Sequence, residues 1–294
     1  MISGRWSDIS SKKHDRSAIV LIAPSVIKTL SVAGYVTSLY LALYVFCAAS
    51  ALADDSSKYP LQQTSSVEKI LQQSAVSKAP GARITSISSH FLGAPYVANS
   101  LIGGPAEAEQ LVTRLDGFDC FTFLDTVEAL RRSADAADFP KQMMQVRYRD
   151  GMVSYENRRH FFSDWVSDQG APVKDVTAIV GQARERHVLK QLNAKQAGVL
   201  WLDGVDVVPR TIAYIPASEL DAKLLDALEP GDYVGIFSPL AGLDVSHTGL
   251  IVDADGAIML RHASSRGGVD RILDEELVTY LRGTTGLIVY RVMQ

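Results

Sequence analysis

The stretch RLDGFDCFTFLDTVEAL, residues 114–130, carries the strongest structural signal in the chain. Asp119 is of a residue type preferred at a helix N-cap. Apolar side chains then recur at spacings of three and four, at Phe123, Leu124, Val127 and Leu130. This periodicity predicts a helix with an apolar stripe on one face. Cys120 would lie in its first turn, where free backbone N–H groups and the helix dipole favour a thiolate.

The start of the chain predicts where the protein works. Lys28 is followed by an uncharged, largely apolar run over residues 29–53, which ends in Ala51-Leu52-Ala53 before two aspartates. A basic flank, an apolar core and a small-x-small site are typical of a signal peptide. We therefore expect residues 1–53 to be removed and the rest to be periplasmic or secreted. An uncleaved segment that anchors the protein in a membrane is the alternative.

Export would leave the mature protein with a single cysteine. The chain has two, and cleavage of the signal peptide would remove Cys47 and leave Cys120 as a single thiol. Structural cysteines of exported proteins usually come in pairs. Cys120 is therefore either a buried, small apolar side chain or a nucleophile.

The composition is that of a globular protein, with 294 residues, 47% hydrophobic and 21% charged. The first 53 residues carry a net charge of +3, so the remainder carries −7 of the chain's net −4. An acidic remainder argues against general nucleic-acid binding. The sequence has neither a phosphate loop ending in Lys-Ser/Thr nor an H-E-x-x-H motif, so we expect no cofactor and no metal.

The chain divides into three expected segments: a signal peptide over 1–53, a polar tether with a first helix over 54–83, and one folded domain over 84–294. The tether is rich in Ser, Gln, Lys and Ala, with a weakly helical pattern at Val67, Ile70 and Leu71. A second helical pattern covers residues 84–92 and ends at the turn Gly93-Ala94-Pro95-Tyr96.

The C-terminal half predicts mainly strands. Asp150-Gly151 is a strong hairpin signal, so we expect two short strands across residues 145–155. Residues 173–214 give no clear assignment. Further patterns predict strands over 232–237, 246–252, 257–263 and 287–292, with a helix over 274–281. A cysteine-bearing helix packed on an antiparallel sheet makes the expected fold class α+β.

Two histidines meet on the predicted sheet. If the loop 253–256 is symmetric, His247 and His262 lie directly opposite each other on adjacent strands. If Asp255-Gly256 are the central pair of the turn, the two are diagonal neighbours. Both registers place them on one face, as a base and its orienting group require. Two structural histidines with satisfied hydrogen bonds are the alternative.

Six phrases, taken together, resemble the N-acetylmuramoyl-L-alanine amidase-like family, a branch of the NlpC-type, papain-like cysteine amidases. They occur in the family's order from about His90 to the C-terminus: FLGAPYVANSLIGG (91–104), RLDGFDCFTFLDTVEAL (114–130), RYRDGMVSYENRRHFFSDW (147–165), EPGDYVGIF (229–237), SHTGLIV (246–252) and LRHASS (260–265). The resemblance implies a papain-like NlpC-type fold for the last segment, with the nucleophile-bearing helix packed on the sheet.

The resemblance also implies catalytic roles. Cys120 would be the nucleophile, His247 the general base and later acid, and His262 the group that orients His247. Tyr96 would lie near the nucleophile and assist the oxyanion together with the Cys120 backbone N–H. An aromatic residue that only packs after the turn is the alternative for Tyr96.

The substrate-binding candidates are mostly basic. Arg158, Arg159 and His160 would recognise the carboxylates of a stem peptide, for which Arg is well shaped, or would simply form a solvated face. Asp119 holds a substrate amine in related peptidases, but a helix cap is favoured here. Arg261 and Arg266, beside His262, are secondary candidates.

The expected activity is hydrolysis of the N-acetylmuramoyl-L-alanine bond in peptidoglycan fragments (muropeptides), through a thioester. The resemblance suggests 1,6-anhydro-muropeptides. Three alternatives stay open: an endopeptidase that cuts within the stem peptide, a non-catalytic wall-binding module, and a zinc hydrolase using the Cys and both strand histidines. No protein partner is expected, and a membrane is a partner only through an uncleaved signal segment.

Overall fold

The computed structural model describes residues 61–75, 79–167 and 173–292, so the predicted signal peptide lies outside the described residues. The helices are α1 Leu61–Ser74, α2 Pro80–Ser89, α3 Cys120–Arg132, α4 Phe139–Arg147, α5 Thr177–Gly181, α6 Ala222–Leu225 and α7 Leu277–Leu281. Short 3₁₀ helices cover Arg149–Gly151, Phe162–Val166 and Ala217–Glu219. In this described part, no helix is long and apolar enough to span a bilayer.

The described residues form twelve strands. They are β1 Ile102–Gly104, β2 Glu107–Gln110, β3 Lys174–Asp175, β4 Arg186–Leu192, β5 Ala194–Gln196, β6 Val199–Leu200, β7 Val208–Pro216, β8 Tyr233–Phe237, β9 Val245–Ala254, β10 Ala257–Ser264, β11 Arg271–Glu276 and β12 Gly286–Arg291. The main sheet has eight strands in the order β11-β10-β9-β8-β12-β7-β4, with β3 also paired to β12. Its pairings are antiparallel, so the predicted α+β class is confirmed.

Helices cover both faces of the main sheet. Along β12, Ile288 and Tyr290 pack into one hydrophobic cluster with residues of α1 to α4. Leu287 and Val289, which point the opposite way, pack into a second cluster with residues of α5, α6 and α7. Because both faces are buried, the central strands read as continuous apolar runs rather than as an alternation.

The helix α3 is the centre of the first cluster, and its environment differs from the prediction. The four residues of the expected apolar stripe are fully buried. The opposite face is buried as well, since every residue from Cys120 to Leu130 is buried. Its polar side chains are paired instead of solvated: Glu128, for example, accepts hydrogen bonds from Arg131 and from the Tyr233 hydroxyl.

The hairpin predicted across residues 145–155 is wrong. The chain forms α4 up to Arg147 and then the 3₁₀ turn, because Met143 and Val146 are buried at helical spacing. Asp150 and Gly151 do adopt the positive φ angles of 55° and 66° that their types favour. The Asp-Gly pair therefore correctly predicted a turn. Tertiary packing decided that a helix, and not a strand, precedes this turn.

Other expectations are confirmed or shifted. α1 forms where the helical pattern indicated, and Val67, Ile70 and Leu71 are buried in the first cluster. α2 covers Pro80–Ser89, so it begins four residues before the predicted 84–92 and ends three residues earlier. The four predicted C-terminal strands are confirmed as β8, β9, β10 and β12, whereas β11 was not predicted. The predicted helix over 274–281 is correct only from Leu277 onward, because the three residues before it continue β11. The unassigned residues 173–214 contain β3 to β7 and α5.

The turn between β9 and β10 sets the register of the site. Ala254 pairs with Ala257, so Asp255 and Gly256 are the central residues, and both have positive φ. This is the geometry of a two-residue hairpin turn. Of the two registers left open by the sequence, the diagonal one for His247 and His262 is the one that forms.

Gly249 permits β9 and β10 to approach at this point. A Cβ atom built on Gly249 would lie 2.8 Å from the Arg261 carbonyl oxygen and 3.1 Å from the His262 Cβ. We expect Gly249→Ala to lower the free energy of unfolding by about 1–3 kcal/mol, the usual cost of overpacking. Gly104→Ala is the control, because no atom lies within 4 Å of its Cβ position. Equal melting temperatures of the two variants in thermal unfolding would contradict this reading.

Candidate active site

The cap on α3 fixes the position of Cys120. The Asp119 carboxylate accepts hydrogen bonds from the backbone N–H groups of Phe121 (3.0 Å) and Thr122 (2.8 Å). The Thr122 hydroxyl in turn accepts from the Asp119 N–H at 2.9 Å. This reciprocal arrangement is a capping box. The predicted N-cap is therefore confirmed, and α3 begins at Cys120.

Cys120 lies where α3 packs against β9. The Thr248 hydroxyl donates to the Cys120 carbonyl oxygen at 2.9 Å, which ties the helix to the residue after His247. Burial raises the pKa of the Cys120 thiol to about 12, and the charge of Asp119 adds to this effect, while hydrogen bonds from Thr248 oppose it. The resting group is therefore a neutral thiol and not the thiolate that a helix start favours.

Three side chains near this junction are connected by hydrogen bonds. His247 Nε2 lies 2.8 Å from His262 Nδ1, and His262 Nε2 lies 2.6 Å from the Glu275 carboxylate. His262 is fully buried. Burial is the main cause that lowers the pKa of His247, to about 3, and burial also lowers the pKa of His262 against the effect of Glu275. Both rings are therefore neutral near pH 7.

Glu275 determines which nitrogen atoms of His262 and His247 carry a proton. A carboxylate only accepts, so His262 must carry its proton on Nε2. The Nδ1 atom of a neutral His262 is then an acceptor, and His247 must donate its Nε2 proton to it. The Nδ1 atom of His247 is left with a lone pair and can act as a base.

Tyr280 and Arg266 complete this side of the site. The Tyr280 ring lies 5.9 Å from the His247 ring and 5.0 Å from the His262 ring. Burial raises the pKa of Tyr280 to about 12, and the nearby Cys120 contributes to the shift. The Arg266 guanidinium lies over the Tyr280 ring, 4.2 Å from its centroid. Cys120, His247 and Arg266 thus share Tyr280 as a neighbour.

The segment around Tyr96 joins α3 to the sheet. Tyr96 pairs with Phe118 in a parallel bridge, two residues before Cys120. Its backbone N–H donates to the Asp270 carbonyl at 2.8 Å, next to the start of β11. Tyr96 therefore lies between the segment that leads into Cys120 and the strand that carries Glu275.

The predicted substrate-binding residues line one cavity of about 410 Å³ beside the N-terminus of α3. Its lining includes Asp119, Tyr155, Arg158, Arg159, His160 and Trp201. The predicted residues Asp119 and 158–160 are therefore close together in space, although they lie about 40 residues apart in the chain.

Both arginines that were predicted to bind substrate are held by contacts within the protein. Arg158 forms an ion pair with the buried carboxylate of Glu109. Arg159 is buried and donates to the carbonyl oxygens of Gln145, Val146 and Tyr148 at 2.8–2.9 Å. His160 contacts the Tyr155 carbonyl at 2.7 Å, and burial lowers its pKa to about 4. These contacts brace the cavity wall.

Sequence reasoning missed Glu275 and Tyr280. The sequence predicts a helix that includes residues 274–276. A helix there does not predict which of its residues would lie opposite His262. With β11 recognised as a strand, the pairing of His262 with Leu273 would have placed Glu275 near the ring. Tyr280 follows on α7 and carried no separate signal. Among the described residues, no group of three or more His, Cys, Asp or Glu side chains could hold a metal ion.

Fold and site together define a class of protein. The fold is α+β, with a central buried helix packed on an antiparallel sheet, and the site combines a cysteine at the helix start with two imidazoles and a carboxylate. This combination of side chains is typical of hydrolases that use nucleophilic catalysis.

The chain belongs to the N-acetylmuramoyl-L-alanine amidase-like family, whose model matches residues 86–287. The resemblance seen in the sequence is thereby confirmed, and family membership supports a hydrolase that acts on peptidoglycan. A search of curated proteins found no match.

Solved structures share the fold. A structure of an N-acetylmuramoyl-L-alanine amidase from Bacteroides uniformis is 24% identical with a TM-score of 0.62, over 73% of this chain and 99% of that one. A Legionella pneumophila protein is 23% identical with a TM-score of 0.64, over 79% and 95%. A Bacteroides fragilis protein provisionally named a xylanase is 25% identical with a TM-score of 0.59, over 69% and 98%.

The raised pKa of Cys120 makes its reactivity testable. In a chain that starts at Asp54, Cys120 is the one thiol. We expect iodoacetamide to alkylate it near pH 7 at least about tenfold more slowly than a free thiol of pKa about 8.5. The rate should keep rising above pH 9, where the rate of a free thiol levels off. Unfolding in urea should restore the free-thiol rate. A plateau already reached below pH 7 would instead reveal a preformed thiolate.

The role of Glu275 is testable by ¹⁵N NMR of the histidine rings. In the wild type we expect one tautomer of His247, with the proton on Nε2. The amide of Glu275→Gln can donate as well as accept, so a second tautomer should appear. Glu276→Gln is a matched control, because Glu276 accepts from the Thr279 hydroxyl on α7 instead. The same spectra for all three proteins would show that Glu275 does not fix the tautomer.

Proposed function

We propose that this protein is an exported cysteine amidase that hydrolyses the bond between the N-acetylmuramoyl lactyl group and L-alanine in peptidoglycan fragments. One observation carries the proposal: the chain His247–His262–Glu275 lies at the same α3–β9 junction as Cys120. Family membership supplies the substrate class.

The chemistry begins with a proton transfer. His247 Nδ1 takes the proton from the Cys120 thiol, and the thiolate attacks the lactyl carbonyl carbon. The tetrahedral intermediate collapses, His247 returns the proton to the alanine nitrogen, and the peptide leaves as an amine. A thioester between Cys120 and the muramoyl group remains. Water, deprotonated by His247, then attacks the thioester and releases the muramoyl carboxylic acid and the thiol.

The starting state of this reaction is uncharged. A thiol with a raised pKa and an imidazole with a lowered pKa are both neutral, so attack creates charge inside a buried site. His262 and Glu275 can stabilise the imidazolium that forms on His247. The Cys120 backbone N–H and Tyr96 are the proposed donors to the oxyanion, supported by the parallel bridge that holds Tyr96 beside Phe118.

The proposal also includes a papain-like NlpC-type fold and export of the protein. A nucleophile at the start of a helix packed on the strands β9 and β10 fits the papain-like NlpC type. Export rests on the signal-peptide pattern of residues 1–53, with the amidase domain following it. The substrate-side roles of Arg158, Arg159, His160 and Asp119 stay predictions. All four line one cavity, but Arg158 and Arg159 already have partners within the protein.

Product analysis tests the reaction and the nucleophile together. We expect the chain from Asp54 to convert defined muropeptides into free stem peptide and peptide-free sugar, detected by mass spectrometry. Cys120→Ala should lower the rate to background, because no other thiol can form the thioester. Glu276→Gln, which alters an exposed carboxylate outside the site, should keep the wild-type rate.

Other products would decide between the alternatives. Fragments cut within the stem peptide would show an endopeptidase. Binding of muropeptides without turnover, unchanged in Cys120→Ala, would show a wall-binding module. Full activity of Cys120→Ala would refute the cysteine mechanism.

A further inference from the structure

Four arginines were candidates for binding substrate carboxylates, and the structure separates them. Arg158 and Arg159 are held by Glu109 and by backbone carbonyls. Arg261 is buried and binds both carboxylate oxygens of Asp274, at 2.7 and 2.8 Å. Arg266 differs. Within the described residues its guanidinium makes no ion pair and no hydrogen bond, and it forms a cation–π contact with the Tyr280 ring.

The position of Arg266 is defined although its side chain is exposed. It lies in the loop between β10 and β11, where its backbone N–H donates to the Ser264 hydroxyl and its carbonyl accepts from Val269. The end of this loop, Asp270, accepts the hydrogen bond from Tyr96. A guanidinium on an aromatic face is held by a cation–π interaction and still presents its N–H groups at the edge.

The charge of Arg266 acts on the proposed catalytic centre. After burial and His262, it is the next cause that lowers the pKa of His247, and it also lowers the pKa of Tyr280. A positive charge close to a neutral base disfavours the imidazolium that catalysis needs. A bound anion would neutralise this charge, so the arrangement suits a site that is occupied by a negative group during turnover.

The substrate chemistry identifies that group. The lactyl carboxyl of the muramoyl half is consumed in the scissile amide, so the carboxylates of the substrate all lie on its peptide half. We propose that Arg266 binds a carboxylate of the substrate peptide beside His247 and thereby selects peptides that are acidic near the scissile bond. This inference rests on the proposed function, and it assigns the peptide half to the side of the β10–β11 loop.

The test compares two substrates that differ in charge. N-acetylmuramoyl-L-alanyl-D-glutamate carries carboxylates, and its diamide carries none. We expect the wild type to prefer the acid by roughly tenfold or more in kcat/KM, the range for a charge-assisted hydrogen bond. Arg266→Gln should abolish the preference by raising KM for the acid while kcat stays near the wild-type value. Arg266→Lys should keep part of it.

Arg186→Gln is the matched control, because it removes the same charge from an exposed position on β4, at the opposite edge of the sheet. It should leave the preference unchanged. If Arg266→Gln slowed acid and diamide equally through kcat, Arg266 would serve the chemistry and not carboxylate binding. An unchanged preference in Arg266→Gln would also overturn the inference.

A failure of the proposed function would look different. If no variant hydrolyses either compound, binding of the acid and the diamide to Cys120→Ala, followed by NMR titration, still measures the carboxylate preference. Loss of that preference in the double variant with Arg266→Gln supports the binding role. Equal binding of acid and diamide by Cys120→Ala refutes it.

Discussion

The antiparallel register between β9 and β10 is the constraint on which the site depends. The turn at Asp255-Gly256 fixes it, and a slip of one residue would move one histidine to the other face of the sheet. Gly249 leaves the space in which the strand bearing His262 approaches. Once the two rings meet, β11 adds Glu275, and the α3–β9 contact adds Cys120. Each later feature of the site therefore follows from one strand pairing.

Burial gives the site an electrically neutral centre with charges at its ends. The thiol and both imidazoles are neutral, while the Glu275 carboxylate contacts His262 and the Arg266 guanidinium lies over the neighbouring Tyr280 ring. Both charges act on a proton that moves between Cys120 and His247. Glu275 favours a positive His247, and Arg266 disfavours it until an anion binds. Under the role proposed for Arg266, the balance between them depends on whether substrate is bound.

The cavity shows why arginines are hard to interpret from sequence. The RRH phrase suggested a ligand-binding patch, and its residues do line a cavity. Yet Arg158 is paired with Glu109, which lies 49 residues earlier in the chain, and Arg159 satisfies carbonyls at the end of α4. A local pattern can predict that a charge is present, but its partner is chosen by tertiary contacts. The same limit applies to Arg266, whose neighbour Tyr280 comes from α7.

The sequence by itself determined the α+β class, the cap and start of α3, four of the five C-terminal strands and the shared face of His247 and His262. These features depend on local periodicity, capping chemistry and strand parity, which act over a few residues. Tertiary structure alone decided the diagonal register, the fate of the Asp150-Gly151 turn, the burial of α3 on both faces and the addition of Glu275 and Tyr280 to the site. Those outcomes depend on which elements pack together, and the free energy of such packing comes from residues far apart in the chain.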